Sequence, residues 1–276
     1  MEYRTFLVKT LEDAAHIARD RFGKVSSTTK VGDPTQVVTE ADIEIGSMIV
    51  EAIQQTYPTH NIIDEETGSV DNRSPYTWVV DPIDGTSNFA QASPLYGCML
   101  GLLREHEPVA GGFALPAFHE IDTAERGQGA YCNQQRLQVQ DGKDLCSVLI
   151  SYGIEGNQSD PMSTRSECEL FTELVLACRG VQTSGSVFDA AMTAKGVYGG
   201  FLYRDCKIWD NVAQHIVLEE AGVLYTDFFG QPIDYRHPLT KATTPFGFCA
   251  APPAVHGQLQ QMIATWKKQS AWAFEK

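Results

Sequence analysis

Apolar positions spaced three and four residues apart predict two helices at the start of the chain. The first covers about 3–22 and stops at Gly23. The second covers about 40–56, with Thr39 as its N-cap and Asp42 at the capping-box position. Both have one apolar face, so we expect them to pack against another layer of the fold.

From about residue 61 the pattern changes to short β-rich runs. Strands are predicted at about 61–64, 77–81, 97–104, 109–115, 119–125 and 129–133. Beyond residue 148, strands at about 148–152, 181–184, 200–203, 223–227 and 246–251 alternate with helices at about 164–178, 187–196, 209–221 and 253–269. This order predicts an α/β protein, with an α+β half over 1–145 and an α/β half over 146–276.

The net charge of the chain argues against some classes of binding partner. The 276 residues carry a net charge of −14, and 43% of them are apolar, enough for a large core. Such acidity argues against nucleic-acid partners and against docking on an anionic membrane. An acidic protein can still accept an anion where bound metal inverts the local charge.

The cysteine pattern and the first residues predict a cytoplasmic protein. The 7 cysteines include no C-x-x-C pair, which argues against a zinc knuckle and suits reduced thiols. The N-terminus is charged throughout and has no apolar signal-peptide core. No apolar run is long enough for a membrane span.

The densest chemical signal lies at residues 81–89, which read DPIDGTSNF. An apolar strand runs into Asp81, Pro82 is expected to end its ladder pairing, and Asp84 follows after a sharp turn. Small polar residues after Asp84 are typical of a helix N-terminus, whose free N–H groups bind anions. Two acids beside such amides fit a cation bridged to phosphate, but for this motif taken alone a strand-end Asp and a turn Asp that caps the helix are the simpler interpretation.

Further acids stand at the ends of other elements. Asp64, Glu65 and Glu66 follow an apolar strand, and Asp210 opens an apolar helix. Adjacent like charges favour a shared cation, but a solvated loop and a simple helix N-cap are the alternatives.

This combination resembles the inositol monophosphatase family of magnesium-dependent, lithium-sensitive phosphatases. Besides DPIDGTSNF, the matching elements are the Glu65-Glu66 pair, Trp209-Asp210, Val38–Asp42 with Lys30 upstream, and Gly127–Ala130 with Asn133. The resemblance spans about residues 3–260 and implies a layered αβαβα sandwich with the metal site between two subdomains.

The resemblance also implies roles for individual residues. It implies that Glu65, Asp81 and the Ile83 carbonyl hold one Mg²⁺, that Asp81, Asp84 and Asp210 hold a second, and that Glu65 helps to hold a weaker third. Glu65, Thr86 and Asp42 would be catalytic, with Thr86 bonded to a metal-bound water and backed by Asp42 as a proton relay. The expected substrate contacts are Asp84, Gly85, Thr86, Ser87, Asp189, Arg204 and Asp210.

The chain departs from inositol-specific members where those touch sugar hydroxyls. Phe188 and Asp189 stand where a Gly-Thr pair is expected, and Tyr203 replaces a Glu. Two interpretations stay open. Asp189 or Asp205 could restore the lost acceptor for a polyol phosphate, or Arg204 could bind a second anionic group.

The sequence therefore predicts a phosphatase that uses water directly, with no phosphoenzyme. The preferred substrate is inositol 1-phosphate or a related small polyol or sugar phosphate. The alternatives are a bisphosphatase, acting on fructose 1,6-bisphosphate or 3′-phosphoadenosine 5′-phosphate, and a non-catalytic, metal-stabilised regulatory protein. The resemblance further implies a homodimer.

Overall fold

The computed structural model describes residues 3–25, 27–29 and 37–269. Lys30, one of the residues that carry the resemblance, lies outside them. Within the described residues, no helix is both long and apolar enough to cross a membrane.

Strands dominate the described chain between Thr56 and Pro161, and helices and strands alternate after that. The described α-helices are α1 (Arg4–Arg21), α2 (Glu40–Thr56), α3 (Thr86–Ala90), α4 (Pro161–Ala177), α5 (Phe188–Ala194), α6 (Ile208–Glu220) and α7 (Pro253–Gln269). The first ten strands are β1 (Ser27–Thr29), β2 (Val37–Thr39), β3 (Asn61–Asp64), β4 (Gly68–Val70), β5 (Tyr76–Asp84), β6 (Gly97–Arg104), β7 (Glu107–Leu115), β8 (Glu120–Glu125), β9 (Gly129–Cys132) and β10 (Gln135–Leu137). The remaining strands are β11 (Leu149–Gly153), β12 (Gly180–Gln182), β13 (Gly200–Cys206), β14 (Leu224–Asp227) and β15 (Phe246–Ala251).

A large, mostly antiparallel sheet forms the first half of the fold. Its strand order is β10-β9-β8-β7-β6-β5-β3-β4, and the β3–β5 pair is parallel. Helices α1 and α2 bury their apolar faces against one side of this sheet. The predicted cap of α2 is confirmed: the Thr39 side chain accepts from the Ala41 N–H, and the Thr39 N–H donates to Asp42 at 2.8 Å.

A second, five-stranded sheet forms the other half, in the order β12-β11-β13-β15-β14. Helices α5 and α6 lie between the two sheets, in one core that contains residues of both. Helices α4 and α7 cover the outer face of the second sheet. The layers are therefore helix, sheet, helix, sheet, helix, which confirms the predicted αβαβα sandwich. The boundary at residue 145 stays a prediction.

The structure corrects one expectation at the strand that carries the motif. Pro82 does not end β5, which continues to Asp84. Instead, the pairing with β6 shifts register between Asp81, opposite Met99, and Asp84, opposite Gly97. Since Pro82 has no N–H to give to the ladder, the strand accommodates it with this irregularity. The irregularity lies between the two acids of the motif.

Candidate active site

Three aspartates from two distant parts of the chain meet in one place. Asp81 and Asp84 come from the irregular end of β5, and Asp210 comes from the first turn of α6. One carboxylate oxygen from each lies within 4.8 Å of those of the other two. Asp210 also accepts from the Lys207 N–H at the start of α6. Its capping role and its place in the cluster therefore coexist.

Burial and mutual repulsion make this cluster electrostatically unfavourable. Burial raises the pKa of Asp81 well above its usual range, and the charges of Glu65, Asp84 and Asp210 raise it further. Burial and then the Asp210 charge raise the pKa of Asp84 in the same way. The pKa of Asp210 rises to about 6, again mainly through burial. A bound cation would reverse this cost, since it favours the ionised carboxylates.

Glu65 and Ile83 lie close to the aspartates: Ile83 stands between Asp81 and Asp84 in β5, and Glu65 follows the neighbouring strand β3. Glu65 follows β3 directly, and its N–H donates to the Val80 carbonyl in the neighbouring β5 at 3.3 Å. The Glu65 charge reaches both Asp81 and Asp84. The Ile83 carbonyl accepts from the Thr86 hydroxyl at 2.8 Å, which fixes the turn between the strand and α3.

Thr86 connects the cluster to the N-terminus of α2. Its hydroxyl lies 3.2 Å from Asp42 Oδ1, while Asp42 Oδ2 accepts from the Thr39 N–H at 2.8 Å. Burial raises the pKa of Asp42, and its bonds to Thr39 partly offset the rise. The expected Thr86–Asp42 pair is therefore present, and the capping box holds Asp42 in position.

A loop of the second half closes over the motif. Gly85 adopts φ +81°, and a Cβ there would lie 2.9 Å from the Ser186 Cβ, so glycine is required. The Asn88 amide donates to the Ser184 carbonyl at 2.9 Å, and the Val187 N–H donates to Asp84. No local sequence pattern indicates these contacts, because they join residues about a hundred positions apart.

The remaining expected substrate contacts divide into near and distant residues. Ser87 is exposed on α3 beside the cluster. Asp189 is fully buried on α5, and its charge reaches Asp84. Burial raises the pKa of Asp189, with the Ser184 and Ser151 hydroxyls opposing the rise.

Arg204 is not brought to the cluster. Its guanidinium donates to Ser163 at 3.1 Å, pairs with Glu167 at 3.5 Å and lies over the Trp266 ring at 5.6 Å. These partners belong to α4 and α7, the layer that covers the outer face of the second sheet. Because side chains alternate along β13, Arg204 faces away from the layer that holds Asp210.

The donor set fits a hard divalent cation. It consists of carboxylate oxygens and a carbonyl, the ligands that Mg²⁺ prefers. Asp81 Oδ1 is buried and has no hydrogen-bond partner among the described residues. An orphaned carboxylate oxygen among like charges is unfavourable unless a cation neutralises it. The residues that could hold metal are Asp81, Asp84, Asp210, Glu65 and the Ile83 carbonyl.

The chain is similar to several known proteins. A "Fructose-1,6-bisphosphatase/inositol-1-monophosphatase" of Aquifex aeolicus is 29% identical over 218 residues, 78% of this chain and 81% of that protein. A "Nus factor SuhB" of Pseudomonas aeruginosa is 33% identical over 206 residues, 72% and 74% of the two chains. The solved "Thermotoga maritima IMPase" superposes with a TM-score of 0.85 at 26% identity, covering 98% of this chain and 99% of the other.

The family comparison covers nearly the whole sequence. The model of the inositol monophosphatase family matches residues 1–266. Since this match includes both sheets and every residue of the carboxylate cluster, the chain belongs to the inositol monophosphatase family.

Proposed function

We propose that this protein is a Mg²⁺-dependent phosphatase that hydrolyses the phosphate monoester of a small polyol or sugar, with inositol 1-phosphate as the preferred candidate. The observation that carries the proposal is the convergence of Asp81, Asp84 and Asp210 beside the Thr86–Asp42 pair. Membership of the family supports the reaction class. The names of the relatives leave the substrate open.

The carboxylates prepare the site for an anion. Glu65, Asp81 and the Ile83 carbonyl would hold one ion, and Asp81 would share the second with Asp84 and Asp210. The substrate dianion would be neutralised, and the attacking water acidified, by the charge of bound Mg²⁺. Four carboxylates and two divalent cations sum to a nearly neutral site, so the protein's net charge of −14 does not exclude a phosphate.

Thr86 and Asp42 would transfer a proton away from the attacking water. The Thr86 hydroxyl already lies between Asp42 and the Ile83 carbonyl, so it can accept from a water and donate to Asp42. Burial raises the pKa of Asp42 above that of an ordinary carboxyl group, which makes its carboxylate a better proton acceptor. The N–H groups of Gly85 and Thr86, at the turn into α3, would face the phosphate.

The test is phosphate release from a panel of phosphorylated inositols, sugars and nucleotides, with Mg²⁺ titrated and Li⁺ then added. We expect release that requires Mg²⁺, falls with Li⁺ and is fastest with a polyol monophosphate. No Mg²⁺-dependent release from any compound would contradict the proposal and would favour a non-catalytic regulatory protein.

A bisphosphatase is the second candidate, supported by the printed name of the Aquifex relative. Arg204 gives it no support, since its guanidinium pairs with Glu167 in the outer layer. A higher kcat/KM for fructose 1,6-bisphosphate or 3′-phosphoadenosine 5′-phosphate than for any monophosphate would make it the better assignment.

Oligomeric state and location belong to the same proposal. We propose a cytoplasmic homodimer without nucleic-acid partners, on the strength of the family membership and the net charge of −14. Light scattering on the purified protein tests the dimer, and fractionation of the source cells tests the location.

A further inference from the structure

We propose that Glu155, held in place by Tyr203, selects the organic part of the substrate: it accepts a hydrogen bond from a hydroxyl of an uncharged polyol and disfavours a second phosphate. This inference rests on the proposed phosphatase function and names a residue that neither the motifs nor the sequence pattern indicated.

Tyr203 is positioned by the strand beside it. Tyr203 in β13 pairs with Gly153 in β11, and the ring lies directly across that glycine. A Cβ at position 153 would lie 2.7 Å from two atoms of the ring, so only glycine leaves room for it. Since the ring also packs against the core between the two sheets, it is directed toward the layer that contains α6.

The ring in turn holds Glu155. The Tyr203 hydroxyl donates to Glu155 Oε1 at 2.5 Å. Burial, followed by the Glu155 charge, raises the pKa of Tyr203 above its usual range, so the phenol stays a donor. Glu155 itself is exposed, two residues beyond the end of β11. One hydrogen bond therefore fixes a carboxylate that solvent, or a ligand, can still reach.

The pair lies beside the carboxylate cluster. Strand β13, which carries Tyr203 on the side facing α6, runs directly into α6, and Asp210 lies in the first turn of that helix. The Asp210 charge reaches Tyr203, where it contributes to the raised pKa of the phenol. The hydrogen bond from Tyr203 therefore holds Glu155 on the side of β13 that faces the cluster, although Glu155 is not one of the three clustered ligands.

A carboxylate at this place has a definite effect on ligand choice. It can only accept hydrogen bonds, so it favours a hydroxyl group and repels a phosphate. Arg204, the neighbour that could have attracted a second phosphate, is paired with Glu167 on the other face of the sheet. The charges on the two faces of β13 therefore favour a monophosphate with free hydroxyls over a bisphosphate.

The experiment compares Glu155→Gln with the wild type on two substrates, inositol 1-phosphate and p-nitrophenyl phosphate, which has no sugar hydroxyls. We expect the ratio of their kcat/KM values to fall about tenfold, mainly through KM for the inositol compound. The kcat/KM for fructose 1,6-bisphosphate, relative to p-nitrophenyl phosphate, should rise. Tyr203→Phe keeps the ring but frees Glu155, and should lower the first ratio by about three- to fivefold.

Glu173→Gln, an exposed glutamate of α4, is the matched control and should leave the ratios unchanged. An unchanged ratio in Glu155→Gln, or equal losses on both substrates, would overturn the inference. Failure of the proposed function is a separate result: the wild type would then release no phosphate from either substrate with Mg²⁺. Since Glu155 is exposed, thermal unfolding of the variant should match that of the wild type.

Discussion

The two ends of helix α6 carry acids in opposite electrostatic situations. At the N-terminal end, Asp210 faces Asp81 and Asp84, and burial raises the pKa of all three. At the C-terminal end, burial raises the pKa of Glu219, but bonds to His215 and Arg126 more than offset it and bring the pKa to about 2.

Glu220, next along the helix, is compensated by the backbone. It accepts from the Gly127 N–H at 2.8 Å and from the Gly129 N–H at 2.7 Å. These amides belong to the turn between β8 and β9, so the large sheet holds the far end of the helix that carries Asp210. Acids whose charge is balanced by cationic or N–H partners stabilise the fold, whereas acids that mainly face other carboxylates are suited to bind a cation.

The largest effect should come from removing one charge at the N-terminal end of α6, where the acids repel one another. We expect Asp210→Asn to lower kcat by at least about a thousandfold, because one cation would lose a ligand. In EDTA at pH 8 the free energy of unfolding of the variant in urea should exceed that of the wild type by about 1–2 kcal/mol. The reason is that the variant no longer contains a carboxylate repelled by its neighbours. Phosphate release and urea titration measure the two effects. Near-normal turnover with Mg²⁺ titrated would refute the assignment of Asp210.

Magnesium itself should stabilise the wild type. At a concentration one hundred times its Kd, a ligand of the folded state adds about 2.7 kcal/mol, and the unfolding temperature should rise by several degrees. Differential scanning calorimetry with Mg²⁺ and with EDTA measures the shift. Asp210→Asn should lose most of it and Glu220→Gln should keep it; the same shift in all three proteins would place the ion elsewhere.

At the C-terminal end of α6, where the acids have cationic or N–H partners, we expect the opposite result: stability is lost and activity is kept. Glu220→Gln weakens two bonds to backbone N–H groups and should cost about 1–2 kcal/mol in urea unfolding. The kcat should stay within about threefold of the wild type. Glu173→Gln on the exposed face of α4 is the control and should change neither quantity. A large loss of kcat without a loss of stability would show that Glu220 acts on the chemistry.

Many features of the fold and of the candidate site could be predicted from the sequence because their signals are local. An acid that ends an apolar strand or begins an apolar helix can be located from the sequence, as with Asp81 and Asp210. The order of elements was sufficient to expect an α+β half followed by an α/β half, and the resemblance to the family implied the αβαβα layers, which the structure confirms.

The other features depend on contacts that no local pattern contains. Which side of β13 faces α6 depends on the packing of the whole sheet. The sequence therefore left Arg204 as a plausible substrate contact, whereas the structure pairs it with Glu167. Glu155 gave no signal because its partner, Tyr203, is 48 positions away. At Pro82 the usual strand-breaking preference was overridden by pairing with β6 on both sides of the irregularity.

The smallest expected effect is on the pH dependence of stability, through His215 near the C-terminal end of α6. Burial lowers the pKa of His215, although its bond to Glu219 opposes the shift. The unfolded chain then binds a proton more readily than the folded one, so stability should fall as the pH drops through about 6.5. Between pH 7.5 and 5.5 we expect His215 to contribute a loss of up to about 1 kcal/mol, measured by urea unfolding in EDTA. His215→Gln should remove this part of the pH dependence, while His16→Gln, on the exposed face of α1, should retain it. An identical pH dependence in His215→Gln and the wild type would mean that His215 does not resist protonation, and that Glu219 balances its charge fully.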